Sequence, residues 1–156
     1  MVYHRTPMSK SQLKVFLSET RLAHLATSSS EGKSRVSPIW YVYEDDCLYF
    51  TTRLARLKGR HIKENPLVSV SIASDDRPYR AVTAFGEAIV VQKNRDEWLE
   101  KISFRYLREE GRLWLADAIK ERDRVVLRLT PQRLFSWQLD EATSASRERG
   151  EHDNTD

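Results

Sequence analysis

The sequence predicts a mainly β fold, a small antiparallel barrel carrying a few helices. Short runs rich in β-branched and aromatic residues recur along the chain, bounded by turn residues. Three segments of helical period interrupt them, too few for the strict alternation of strand and helix that a parallel sheet needs. The five glycines form neither a GxGxxG nor a phosphate-binding loop, so a doubly wound nucleotide fold has no support.

Ser9-Lys10-Ser11-Gln12 has the form of a capping box opening an amphipathic helix through Glu19, with Leu13, Phe16 and Leu17 turned inward. Residues 21–27 read as the first strand and Ser28 to Gly32 as the turn after it. Residues 35–43 form a second strand, with Val36, Pro38, Trp40 and Val42 on one face and Ser37, Ile39, Tyr41 and Tyr43 on the other. Pro38 cannot donate to a ladder, so this strand has an edge or a break there. Glu44-Asp45-Asp46 turns the chain into a third strand, 47–52.

A basic helix spans 53–64 and stops at Asn65-Pro66, because the residue before proline is pushed out of the α region. The fourth strand, 67–73, follows directly, and Ser74 to Pro78 is a loop. Residues 79–92 are the longest β run, apolar on both faces with Gly86 in the middle; that predicts a strand buried on both sides and a bend or close backbone approach at the glycine. Residues 94–121 are helical in two pieces divided near Gly111, and strands 124–129 and 133–139 finish the sheet. One domain is expected over 1–139, followed by a polar, disordered tail from Asp140 to Asp156.

Composition narrows the function. The single Cys47 leaves no disulfide framework, and the four histidines have no metal-ligand spacing. No secretory signal or apolar run of spanning length is seen, which makes the cytoplasm the expected compartment and a membrane role unexpected. A net charge of +3 is mild, so the basic excess is local. A nucleic-acid partner would prefer a broad basic face; a small anionic ligand suits this chain better.

The basic excess lies in the 53–64 helix. At about 100° per residue, Leu54, Leu57 and Ile62 define its apolar side, while Arg56, Arg60 and Lys63 share the solvent side. Lys58 and His61 fall among the apolar residues. A buried, unpaired ammonium is expensive, so Lys58 either snorkels to water or meets an anion, and spacing leaves both open. A phosphate would account for Arg56 and Thr52 standing nearby. His24, inside the first strand, and His61 are read as packing residues, and His4 and His152 lie in frayed ends. No nucleophile elbow supports Ser-His-Asp chemistry. Trp98, Trp114 and Trp137 are in phase with apolar neighbours, which points to core or dimer contacts.

LATSSSEGKSRVSPIWYVYEDDCLYFTTRLARLKGRHIKENPLVSVSI followed by YRAVTAFGEAIVV resembles the FMN-binding split-barrel family that includes pyridoxamine 5'-phosphate oxidase, over residues 9–139. The branch it resembles most is that of flavin- and deazaflavin-dependent oxidoreductases. The resemblance implies a split β-barrel that forms a homodimer, with FMN, or alternatively the deazaflavin coenzyme F-420, in clefts between the subunits. It implies that Thr51 and Thr52 hydrogen-bond the cofactor and that Lys58, with Arg56 before it, pairs with the phosphate. It also implies that the backbone of Pro38, Ile39 and Trp40 faces the ring and that Arg80 reaches the cofactor of the partner subunit. The catalytic residue stays unassigned.

This chain departs from the vitamin B6 oxidases at three places, the first being Arg56-Leu57 where they carry Ser-Arg before the position of Lys58. They carry a lysine where Trp40 or Tyr41 stands, and an Arg-x-His pair where this chain has Ser136-Trp137-Gln138-Leu139. The resemblance therefore implies an oxidoreductase moving hydride between FMN or F-420 and another small organic substrate. A non-catalytic carrier of flavin or haem on the same fold is the alternative, and a nucleic-acid-binding or regulatory protein using the basic helix is a third reading.

Overall fold

The computed structural model describes residues 3–141. Among them are nine strands and four α-helices. Their order is β1 (Tyr3–Thr6), α1 (Lys10–Ser18), β2 (Ala23–Ser28), β3 (Ser34–Ile39), β4 (Tyr41–Glu44), β5 (Cys47–Arg53), α2 (Leu57–Glu64), β6 (Leu67–Ala73), β7 (Arg80–Val90), α3 (Arg95–Leu107), α4 (Gly111–Ala118), β8 (Arg124–Leu129) and β9 (Arg133–Glu141). All pairings are antiparallel, and the strands run β3-β2-β6-β7-β8-β5-β4 across one curled sheet. β9 pairs with both β7 and β1. The expected mainly β, antiparallel architecture is what forms. Among the described residues no helix is long and apolar enough to cross a membrane.

β7 is the hub. One edge bonds β6 along Ala81–Glu87; the other bonds β9 from Arg80 to Phe85 and then β8 from Ala88 to Val90. Gly86 marks the switch, where a β-carbon would stand 2.8 Å from the Thr130 carbonyl oxygen, so only glycine admits the crossing backbone. The predicted burial of this strand on both faces is corrected: Thr83, Glu87 and Ile89 are exposed, and the core side is Val82, Ala84 and Ala88. The doubly buried strand is β5, whose Leu48 and Phe50 enter the main core while Tyr49 packs beneath α3 with Leu99 and Val126.

α1 opens on the predicted capping box: Gln12 N donates to Ser9 Oγ (3.3 Å) and Ser9 N to Gln12 Oε1 (2.8 Å). Phe16 and Leu17 are fully buried. The Asp45-Asp46 turn joins β4 to β5 with both residues at positive φ, the twist a two-residue hairpin needs.

Three expectations change. The predicted strand 35–43 is two strands, β3 and β4, broken at Trp40. The break is satisfied by Tyr106, whose hydroxyl accepts from Tyr41 N (3.1 Å) and donates to Arg21 O (2.6 Å). Ile39 and Tyr41 are buried on the face expected for them and Val36 faces out, but the alternation fails after the break, where Val42 is buried beside Tyr41. The basic helix begins at Leu57 rather than at 53, because Arg53 completes β5. Leu54 N donates to Asp123 O (2.8 Å) and Ala55 N to Asp123 Oδ2 (3.2 Å), which holds the intervening residues as a turn. Finally, residues 3–6 are not frayed. β1, with His4 in it, pairs with β9, and that ladder takes in Asp140 and Glu141, which the sequence assigns to the tail. Thr6 Oγ1 also donates to Asp140 Oδ2. The rest of the expected tail, residues 142–156 with His152, lies outside the described residues.

Candidate functional site

Two cavities meet at the ends of β3 and β5. The larger, about 550 Å³, is lined by Arg35, Ser37, Pro38, Thr51, Thr52, Arg53, Arg56, Leu57, Lys58, Glu121 and Arg124. The smaller, about 320 Å³, is a slot lined by Leu22, Pro38, Ile39, Trp40, Thr51, Trp114 and Arg124. They share Pro38, Thr51 and Arg124. The first is cationic and the second aromatic.

The cationic cavity is built by the first turn of α2. No side chain caps that helix, so its first-turn N–H groups face outward beside Arg56, Leu57 and Lys58. The positive end of the helix dipole and these N–H groups favour an anion there. Gly59 allows α2 to rest against the backbone of Leu54, which brings Lys58 to the wall. Lys58 is half-buried, and burial pulls its pKa below the ordinary lysine value, with the like charges of Arg35 and Arg56 lowering it further. None of Arg35, Arg56 and Lys58 has an acidic partner or a side-chain hydrogen bond among the described residues. These three cations share a hollow whose lining carboxylate, Glu121, is already paired with Arg53 and Arg124.

Arg53 and Arg124 are different, because both are already paired. Arg53 binds Asp123 Oδ1 (3.0 Å) and Glu121 Oε1 (3.3 Å). Arg124 donates to Glu121 Oε2, lies over the Trp114 ring at 5.1 Å and approaches Thr51 Oγ1 at 3.5 Å. Thr51 gives its own proton to Val125 O (3.0 Å), which leaves its hydroxyl an acceptor toward the cavities.

The slot has stacked aromatic walls. Trp40 lies parallel to Tyr106, with centroids 5.1 Å apart and planes 7° apart, and is tilted against Trp114 at 5.8 Å. The Tyr106 hydroxyl is committed to backbone, and burial raises its pKa. The Tyr41 hydroxyl is likewise committed, donating to Leu17 O (3.1 Å), and burial pushes its pKa up to about 12.

Seven of the eight residues predicted for the site converge here: Pro38, Ile39, Trp40, Thr51, Thr52, Arg56 and Lys58. Arg80 does not join them within the chain. Its guanidinium is paired with Glu19 (2.7 and 3.2 Å), lies over Phe16 at 4.9 Å and borders a separate hollow with Met8 and Gln138. His24 is corrected from a packing residue to an exposed one on the outer sheet face. His61 is buried, with Nδ1 3.3 Å from Thr27 Oγ1, which fits the packing role.

Sequence reasoning missed Arg35, Trp114, Glu121 and Arg124. Trp114 and Arg124 are far from β5 in sequence. Arg124 arrives because β8 pairs with β5, which sets it opposite Arg53, and Trp114 arrives on α4, which packs against α3. The sequence signal was a basic residue at the start of a strand, which is ambiguous until that pairing is known.

The pyridoxamine 5'-phosphate oxidase family model matches residues 9–138. The chain belongs to that family. No curated protein matches the sequence. Among solved structures of this split-barrel type, an F-420 reductase is 28% identical (TM-score 0.65), covering 78% of this chain and 94% of that one. A conserved hypothetical protein from Mycobacterium tuberculosis is 22% identical (TM-score 0.69), covering 88% and 94%. The heme storage protein HutZ from Vibrio cholerae is 21% identical (TM-score 0.66), covering 82% and 94%. The last two show the fold alone.

Proposed function

We propose that this family member is a homodimeric oxidoreductase that holds FMN or coenzyme F-420 and moves hydride between it and a small, planar organic substrate. One observation carries the reading: Arg35, Arg56 and Lys58 border the cavity at an uncapped helix N-terminus with no acidic partner among the described residues, beside a slot walled by Trp40 and Trp114. Cations left unneutralised around a half-buried lysine fit a phosphate, and flat aromatic walls fit a conjugated ring. The likeness to an F-420 reductase supports the same class of cofactor.

A flavin or deazaflavin supplies the hydride chemistry when bound; the chain's work is to bind, orient and exclude water. Lys58 and Arg56 would neutralise the phosphate, with Arg35 closing the opposite side. Thr51 would accept, and Thr52 would accept or donate, along the cofactor's polar edge, and the Pro38-Ile39-Trp40 backbone would face its ring. The further negative charge of the F-420 tail would suit exposed Arg60 and Lys63. Pyridoxamine phosphate oxidation is not the expected reaction, because the oxidase lysine and Arg-x-His positions hold other residues here.

The dimer is proposed from the outer sheet face. Val36, Leu67 and Phe135 are 63%, 55% and 58% exposed, and Phe135 packs 6.2 Å from Phe85. An apolar surface of this kind calls for cover.

The reading is tested by purifying the protein from its native host and identifying any copurified chromophore by mass spectrometry, then assaying turnover with NAD(P)H or reduced F-420 and a panel of quinones. A stoichiometric blue-absorbing cofactor that turns over is expected. A cofactor that is held but never turns over would make the protein a carrier. A colourless protein that takes up neither FMN nor F-420 would contradict the proposal.

A further inference from the structure

We propose that Arg124 sets the redox bias of the ring in the slot by holding one fixed positive charge against it; this rests on the flavin or deazaflavin reading above. Arg124 borders both cavities, so it lies beside the ring whether the ring fills the slot or rests over Pro38 and Thr51. The other residues lining the slot are Leu22, Pro38, Ile39, Trp40, Thr51 and Trp114, all uncharged. Among the described residues Arg124 is therefore the one ionised side chain on the slot wall. Its counter-ion Glu121, with Arg53 and Lys58, borders the neighbouring cavity instead.

The guanidinium is also fixed. Glu121 binds Nε, the Trp114 ring lies under it at 5.1 Å, and Thr51 Oγ1 faces Nη1 at 3.5 Å. Its side chain is only 15% exposed, so water and salt screen its charge weakly.

Accepting a hydride adds two electrons and one proton to a ring, which becomes one charge more negative, while the donor, a reduced nicotinamide or its equivalent, loses that hydride and becomes one charge more positive. A fixed cation at the ring therefore favours the reduced form over the oxidised one, and Arg124 binds the two unequally. Glu121, bonded to the same guanidinium, opposes this. Removing its charge should act in the reverse direction to removing Arg124's.

The experiment compares wild type, Arg124→Gln, Arg124→Lys and Glu121→Gln. For each, dissociation constants are measured anaerobically for oxidised and reduced FMN, or for oxidised and reduced F-420 where wild type binds that instead. Arg124→Gln is expected to lose at least ten-fold more affinity for the reduced form than for the oxidised form, equivalent to a fall of about 30 mV in the two-electron midpoint potential. Arg124→Lys should keep the wild-type ratio, and Glu121→Gln should raise the potential. Equal losses for both forms in Arg124→Gln, or a shift of the same sign in Glu121→Gln, would leave Arg124 a packing residue and overturn the proposal. A wild-type protein that binds neither oxidised cofactor would show a different failure, that of the cofactor reading itself, and the proposal would fall with it.

Discussion

A β-carbon on Gly59 would lie 2.6 Å from the Cα of Leu54 and 2.9 Å from its carbonyl oxygen. Both are backbone atoms and cannot swing aside. The first turn of α2 thus sits directly on the turn that ends β5, and this contact sets where Lys58 meets the cavity. Gly59→Ala must push the helix away at a cost of about 1–3 kcal/mol, the usual range for overpacking. The expected result is a lower melting temperature together with at least ten-fold weaker cofactor binding. Wild-type values for both would show that α2 can shift without disturbing the site.

Much of this arrangement was legible in the sequence. The inward place of Lys58 followed from the helical period, and the stop at Asn65-Pro66 from backbone sterics. The close approach at Gly86 followed from a lone glycine in a long strand. What escaped were features decided by distant residues. Asp123 shortens the basic helix, Tyr106 stabilises the break at Trp40, and β8 delivers Arg124. The pairing of β1 with β9 was hidden for the same reason, since a four-residue polar segment carries little periodic signal.

The outer sheet face yields a second prediction. Phe135→Asp, placed opposite Thr83 and beside Phe85, should turn a dimer into a monomer in sedimentation at micromolar concentration, with cofactor affinity falling in parallel. A wild-type protein that sediments only as a monomer would refute the proposed dimer.

The lowered pKa of Lys58 fixes the sign of a pH effect. Anion binding needs the protonated amine, so cofactor affinity should decline as pH rises through a value below the ordinary lysine range. The apo-protein should move the other way. Between the lowered folded pKa and the ordinary unfolded one, the unfolded chain binds more protons, so stability rises with pH. Lys58→Arg, which stays charged, should flatten the alkaline decline in affinity. A decline that persists unchanged in that variant would assign it to another group.

Glu19 gives the acid-side counterpart. Burial alone would raise its pKa, but hydrogen bonds and charge from Arg80 and Arg21 outweigh that and lower it. A carboxylate with a depressed folded pKa stabilises above its unfolded pKa, and that contribution is lost as pH falls through the folded value. Glu19→Gln should therefore lower the melting temperature at pH 7 by about 2–4 °C, as expected for roughly 1 kcal/mol in a chain of this size, and the deficit should shrink toward pH 3. A deficit independent of pH would mean that Glu19 acts by packing.

The most direct measurement is a titration of apo-protein with FMN and with F-420, in wild type and Lys58→Ala, followed by cofactor fluorescence. Saturable binding by wild type, weakened ten-fold or more in the variant, is the predicted result, since about 1.4 kcal/mol corresponds to ten-fold and a charge-assisted hydrogen bond is worth at least that. Equal affinity in the two proteins would contradict the assignment of Lys58 to the cofactor's phosphate.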